Sequence, residues 1–271
     1  MATSINTNYG AAVALQNLNA TNAMLERTQN RVSTGLKVGS AKDSGAIYAI
    51  ATGQRANMGA MDSVRASLQR GQSIVDVSLA AGDTVTAALE EMKGLAVSIA
   101  GSTGATQTSY LTEFRALGAE ITSALAGASF DGVNLWTNAA ATNLIKDASG
   151  GTTSVGFTVA GGMAADAAIT TITNQTIAAG AATAGAVDAA IAKVTEALST
   201  LGTQSKSVTR QTTFLNKLQD ATEAGIGNLV DADLAKESAK LTALQTKQQL
   251  GVQALSIANQ SSQTLLSLFR N

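Results

Sequence analysis

Apolar residues recur along this chain at alternating three- and four-residue steps. From Met61 the steps land on Met61, Val64, Leu68, Gly71, Val75, Ser78, Gly82, Val85, Leu89, Met92, Ala96 and Ile99. Nine of these twelve are apolar and the other three are small. A heptad register held in one phase this long predicts a single helix packed along a partner, from about Ser44 to Ala100. At 1.5 Å per residue it would be a rod of roughly 85 Å. A second run, Val187, Ile191, Val194, Leu198, Leu201, Ser205, Val208, Thr212 and Leu215, continues to Ile226 and Leu229. Tyr110, Phe114, Leu117, Ile121 and Leu125 predict a shorter third helix, set off from the first rod by Gly101, Ser102, Thr103 and Gly104.

The two ends repeat the pattern more weakly. One seam reads Ala11, Leu15, Leu18, Asn22, Leu25, Gln29, Val32, Leu36. The other reads Leu234, Leu241, Leu244, Val252, Leu255, Ala258, Leu265, Phe269, with Gln248 and Ser262 interrupting. Leu266 adjoins this second seam. Half-apolar helices are marginal alone in water. These ends should order only against each other or against other molecules.

Between the rods, about 137–183, lies a Gly/Ala/Thr-rich stretch with few charges. Asp131-Gly132, flanked by Phe130 and Val133, is a hairpin-turn signal. Val155, Phe157 and Val159 alternate with Gly156 and Thr158, which suggests a short strand. Residues 130–175 therefore read as a small β element. The expected fold is mainly α: a long antiparallel coiled-coil or helical-bundle rod with a small β-hairpin region in mid-chain.

Composition narrows the function. The 271 residues include no Pro, no Cys and no His. That removes thiol nucleophiles, disulfides, imidazole bases and the usual zinc sites. Pro costs about 3 kcal/mol inside a helix, so its absence suits a nearly continuous helical chain. The net charge is −1, without the basic footprint of a general nucleic-acid binder. No run approaches the roughly 20 apolar residues of a membrane span. No Lys or Arg precedes Arg27, so neither a cleaved secretory signal nor a transit peptide is expected. Glu90-Glu91 and Glu113/Glu120 are the carboxylate groupings that could suggest an enzyme, but no nucleophile converges on them. No catalytic residue, metal or cofactor is expected. Asp231 and Asp233 read as acidic charge at a helix start rather than a metal pair, and Asp43 or Ser44 as a cap of the long helix. Gly71 and Gly82 lie on the seam, where they either permit close approach or loosen the rod.

Two motifs carry a family resemblance. Arg31-Val32-Ser33-Thr34-Gly35-Leu36-Lys37-Val38, followed by Ala41-Lys42-Asp43-Ser44-Gly45-Ala46, resembles the N-terminal signature of bacterial flagellins. Asn228-Leu229-Val230-Asp231-Ala232-Asp233-Leu234-Ala235, with Leu241 to Gln249 and Ala258-Asn259-Gln260, is similar to the C-terminal one. The turn at Phe130–Leu135 also resembles the flagellin hairpin region. The likeness covers about 1–135 and 187–271.

The resemblance implies a subunit of the hollow helical flagellar filament, short and with little or no outer-domain insertion. It implies an inner coiled-coil domain from 1–42 plus 228–271, and a rod domain from 43–227 carrying the β/loop region at about 130–183. It implies export in unfolded form through the flagellar type III apparatus to the extracellular filament, with an export chaperone on the C-terminal helix. The implied partners are further copies, sibling flagellins, and filament cap and hook-junction proteins, with no nucleic acid and no membrane. Subunit contacts are expected at Leu15, Leu18, Leu25, Arg31, Val32, Leu36, Leu234, Leu241, Leu244, Leu255, Leu265, Leu266 and Phe269. The family-motif positions are Ser33, Gly35, Asp43, Asn228, Asp231, Asp233 and Asn259. Glu91 stands where arginine is typical of members sensed strongly by the innate immune receptor, which implies weak recognition. A hook-filament junction protein and a non-flagellar signalling coiled coil are the alternatives.

Overall fold

The computed structural model describes residues 8–268, with side chains described through residue 260. The helices are α1 (Tyr9–Thr34), α2 (Gly45–Ala100), α3 (Gly104–Gly127), α4 (Ala167–Thr173), α5 (Ala184–Val230) and α6 (Leu234–Leu268). A two-stranded antiparallel sheet pairs β1 (Thr142–Ile145) with β2 (Thr152–Val155). The mainly α architecture with a small mid-chain sheet is therefore the observed one. Two compact units result: 57–220, and 1–56 with 221–271.

In the central unit, α2 and α5 run antiparallel. Asp62 meets Gln219, Gln72 meets Ser205, and Lys93 meets Asp188 at 2.7 Å. All twelve heptad positions from Met61 to Ile99 are buried. The mid-chain segment closes this core. Trp136 is fully buried, its ring 5.8 Å from that of Phe157, and its indole Nε1 donates to the Ser78 carbonyl at 2.9 Å.

Gly71 and Gly82 make this docking possible. A Cβ on Gly71 would collide with Leu144 of β1, and one on Gly82 would collide with Leu198 and lie 2.9 Å from Trp136 Cζ2. Close approach, not a loosened rod, is their role. On α3, Gly118 has the same use, since a Cβ there would come 3.1 Å from the Ile172 carbonyl oxygen of α4.

The mid-chain segment is held through backbone atoms. Gln204 accepts from the Gly156 amide at 2.7 Å and donates to its carbonyl at 3.0 Å. Buried Asn134 donates to the Leu125 carbonyl at 2.8 Å, near the end of α3, and accepts from the Trp136 amide at 2.9 Å. Arg115 donates to the Ile177 carbonyl at 2.6 Å.

Some local expectations are corrected. Asp131 and Gly132 do form a tight turn, with φ 51 and 75, but only the single bridge Phe130–Val133 flanks it. The paired strands lie further on. β2 ends at Val155, because Gly156 turns away at φ 104, so Phe157 and Val159 are not in a strand. Residues 130–175 also contain a 3-10 turn at Met163–Ala165 and the helix α4, capped by Asp166.

Candidate assembly surface

The terminal unit is built on the antiparallel pair α1 and α6. Asn8 donates to the Ala258 carbonyl at 2.8 Å, Gln248 donates to Asn22 at 2.9 Å, and Arg31 pairs with Glu237 at 3.1 Å. Asn8 also caps α1 by accepting from the Ala11 amide.

The facing positions form a regular heptad seam. On α1 they are Ala11, Ala14, Leu18, Thr21, Leu25, Thr28 and Val32, all shielded at least in part. On α6 they are Glu237, Leu241, Leu244, Gln248, Gly251, Leu255 and Ala258. The expected seam is thus right at Ala11, Leu18, Leu25 and Val32, and one residue late at Leu15, Asn22 and Gln29. Gln248 belongs to the seam rather than interrupting it. Gly251 takes the place expected for Val252, and a Cβ there would lie 3.2 Å from Leu18 Cδ1. Small and polar residues fill eight of these fourteen positions, and several large apolar side chains of the two helices lie outside the seam.

Those outer residues are strongly exposed: Tyr9 81%, Leu15 48% and Met24 50% on α1, and Leu234 50%, Leu250 58%, Val252 54% and Ile257 68% on α6. On α6, Leu250 and Ile257 belong to a second stripe. Lys236, Lys240, Ala243, Lys247, Leu250, Ala254 and Ile257 follow the same three–four spacing and are all exposed. One half of the stripe is cationic and the other apolar.

The family-motif residues shape the connections. Gly35 ends α1 in the left-handed region at φ 72, a conformation L side chains rarely adopt. Its carbonyl accepts from the Ala232 amide at 2.8 Å, and Leu36 bridges to Asp231. Asp233 caps α6 by accepting from the Lys236 amide at 3.1 Å. Ser44 is the residue preceding α2, and Asp43 closes a turn instead. Asp43 accepts from the Ser40 hydroxyl at 3.1 Å and from the amides of Ser40 and Gly39. The Ser40 hydroxyl, then those amides and the Arg31 charge, hold its carboxyl below the usual 3.8. Ser33, Asn228 and Asn259 are exposed. Arg31 and Glu237 are partly shielded, at 23% and 12% side-chain exposure. Phe269 and the side chains of Leu265 and Leu266 lie outside the described residues.

Glu90, Glu91, Glu113 and Glu120 point to solvent. Among the described residues no group of three or more Asp or Glu side chains could hold a metal ion. No described helix is long and apolar enough to cross a membrane. Sequence reasoning missed Ala14, Thr21, Thr28 and Gly251 as seam residues; their regular spacing from Leu18, Leu25 and Leu255 was the available signal.

Comparison with known proteins agrees with this picture. Residues 5–141 match the model of the bacterial flagellin N-terminal helical region, and residues 184–269 match that of the C-terminal helical region. Flagellin FljM of Caulobacter vibrioides is 50% identical over 274 residues, covering 98% of either chain. Flagellin FljK of the same organism is 50% identical, again over 98% of both chains. A flagellin of Brucella melitensis is 39% identical, over 98% of this chain and 99% of its own. Matched at both ends and aligned over nearly its full length, the chain belongs to the bacterial flagellin family, a family of structural filament proteins rather than enzymes.

Proposed function

We propose that this filament subunit polymerises through the outward faces of α1 and α6. The observation that carries the reading is the set of large apolar side chains exposed beside a dilute seam in the terminal unit. Thr21, Thr28, Gln248 and Gly251 occupy the inner seam while Tyr9, Leu15, Leu250 and Ile257 face out. Covering that apolar surface stabilises by about 25 cal/mol per Å². A heterologous contact repeated from copy to copy grows into an open helical fibre.

In this reading Leu15 and Leu234 touch neighbouring copies directly. Leu18, Leu25, Val32, Leu36, Leu241, Leu244 and Leu255, with the Arg31 ion pair, set the helix pair that presents them. The assembly module is 1–42 with 228–271, and 43–227 forms the rod domain. Further copies, alone or with sibling flagellins, are the main partner. The family resemblance supports the rest: export of the unfolded chain through the type III apparatus to the extracellular flagellum, a chaperone on α6 beforehand, and cap and hook-junction proteins at the filament ends.

Electron microscopy of the purified protein under assembly conditions tests this. The full chain should form long helical filaments. Chains lacking residues 1–34 or 234–271 should keep the α2–α5 core folded, by circular dichroism, and form none. Truncated protein that still builds the same filaments would overturn the role given to the ends.

A further inference from the structure

Two exposed stripes on the central unit carry opposite charge. On α2, Ala80, Asp83, Ala87, Glu90, Gly94 and Val97 follow the three–four spacing and are all exposed. Small residues separate the two carboxylates, and a Cβ on Gly94 would meet nothing within 4 Å. On α5, Lys206, Arg210, Thr213 and Lys217 follow the same spacing and are exposed. Phe214 flanks them at 66% exposure. Among the described residues, Asp83, Glu90, Lys206, Arg210 and Lys217 join no ion pair, whereas Arg65, Lys93 and Lys193 are each tied to a carboxylate of the chain. The spacings match: Asp83 and Glu90 are seven residues apart, as are Arg210 and Lys217. Set antiparallel, the stripes place Asp83 opposite Lys217, Ala87 opposite Thr213 and Glu90 opposite Arg210. Within one copy these pairs are out of reach. Asp62 lies level with Gln219 and Lys93 with Asp188, so Ala87 and Thr213 stand roughly 30 Å apart along the rod at 1.5 Å per residue.

We propose that the acidic α2 stripe of one copy packs against the cationic α5 stripe of the next. Because α2 and α5 are antiparallel within a copy, two copies pointing the same way present these stripes antiparallel as well. A shift of about 30 Å along the rod brings them level. The stripes are different surfaces of one molecule, so the contact is heterologous and repeats from copy to copy. Matched charges across an interface fix its register and reject misplaced neighbours. The small residues of α2 leave room for the Phe214 ring beside the charge pairs. The proposal rests on the filament reading and adds to it a specific contact made by the central unit.

The absence of cysteine allows a clean test. Ala87→Cys and Thr213→Cys are introduced together and singly, leaving every charge in place, and assembled filaments are treated with a short bis-maleimide linker. The pair should give a ladder of covalent multimers on denaturing gels, absent from either single variant and from unassembled protein. Filaments that form but yield no ladder would overturn the stripe contact while leaving the filament reading intact. Wild-type protein that forms no filaments would remove both. A second measurement covers a cysteine pair that fails to assemble. Asp83→Lys with Glu90→Lys, or Arg210→Glu with Lys217→Glu, sets like charges opposite one another and should raise the concentration at which filaments appear about tenfold. All four changes together restore opposite charges and should bring that concentration back close to wild type. Reversals that leave it unchanged, or a fourfold variant that stays as impaired as the doubles, would equally overturn the proposal.

Discussion

The two compact units follow one heptad rule and fill it in opposite ways. In the central unit every heptad position of α2 from Met61 to Ile99 is buried, and Trp136 and Leu144 drop into the gaps left by Gly82 and Gly71. In the terminal unit the seam is diluted with Thr21, Thr28, Gln248 and Gly251, and large apolar side chains face out. A full seam makes a unit that is stable by itself. A dilute seam buries less within its unit and leaves large apolar side chains uncovered. In the proposed reading, the difference separates the part of the subunit that folds alone from the part that assembles.

The sharpest way to break this contrast is to empty the central core. Trp136→Ala removes a fully buried ring and the indole N–H that it donates to the Ser78 carbonyl. It should cost about 3–5 kcal/mol, read as a large fall in the monomer's melting temperature. A melt shifted by only a degree or two would mean that Trp136 is not the keystone of this unit.

Glycine substitutions compare the units directly. Gly82→Ala forces Leu198 and the Trp136 ring to move, and should destabilise the central unit by about 1–3 kcal/mol. Gly251→Ala meets only Leu18, at 3.2 Å, and gains about 1 kcal/mol of helix propensity. It should leave the terminal unit neutral or more stable. Similar losses at both sites, in denaturant titrations, would erase the distinction.

The Arg31–Glu237 ion pair ties α1 to α6. Arg31→Ala strands a partly shielded carboxylate and should cost about 1–3 kcal/mol. The loss should appear as faster amide exchange in α1 and α6, with the parts of α2 and α5 inside residues 57–220 unchanged. Exchange that accelerates equally in both units would mean that they unfold together.

The smallest effect is in acid. The Asp43 carboxyl is depressed by the Ser40 hydroxyl, so its contribution is present above the usual 3.8 and fades as pH falls through its lower folded value. Asp43→Asn should therefore be slightly less stable at neutral pH and lose less on acidification than wild type. Identical pH profiles from thermal melts would remove Asp43 from the account.

The central rods were legible because burial there is carried by Val, Leu, Ile and Met, the residues a periodicity search weighs. The α1 seam was legible only in part. Attention to large apolar residues selects Leu15, whereas the structure uses Ala14, Thr21 and Thr28, whose small size lets the helices meet. The mid-chain segment was the least legible. β1 has little alternation, α4 is rich in the β-branched Thr and Ile, and the decisive contacts are side chains gripping backbone. Asn134, Gln204 and Arg115 look like ordinary polar residues until the carbonyls they bind are known.

That grip on backbone has a consequence for how much the segment can be rewritten. Gln204, Asn134, Arg115 and the Trp136 indole anchor it without reading the side chains of the turn from Lys146 to Gly151, where Ala148, Ser149 and Gly150 stand in solvent. A foreign peptide spliced between Ser149 and Gly150 would lengthen that turn and leave all four anchors in place. Each copy in a filament would then carry the graft while its rods and ends stay unaltered.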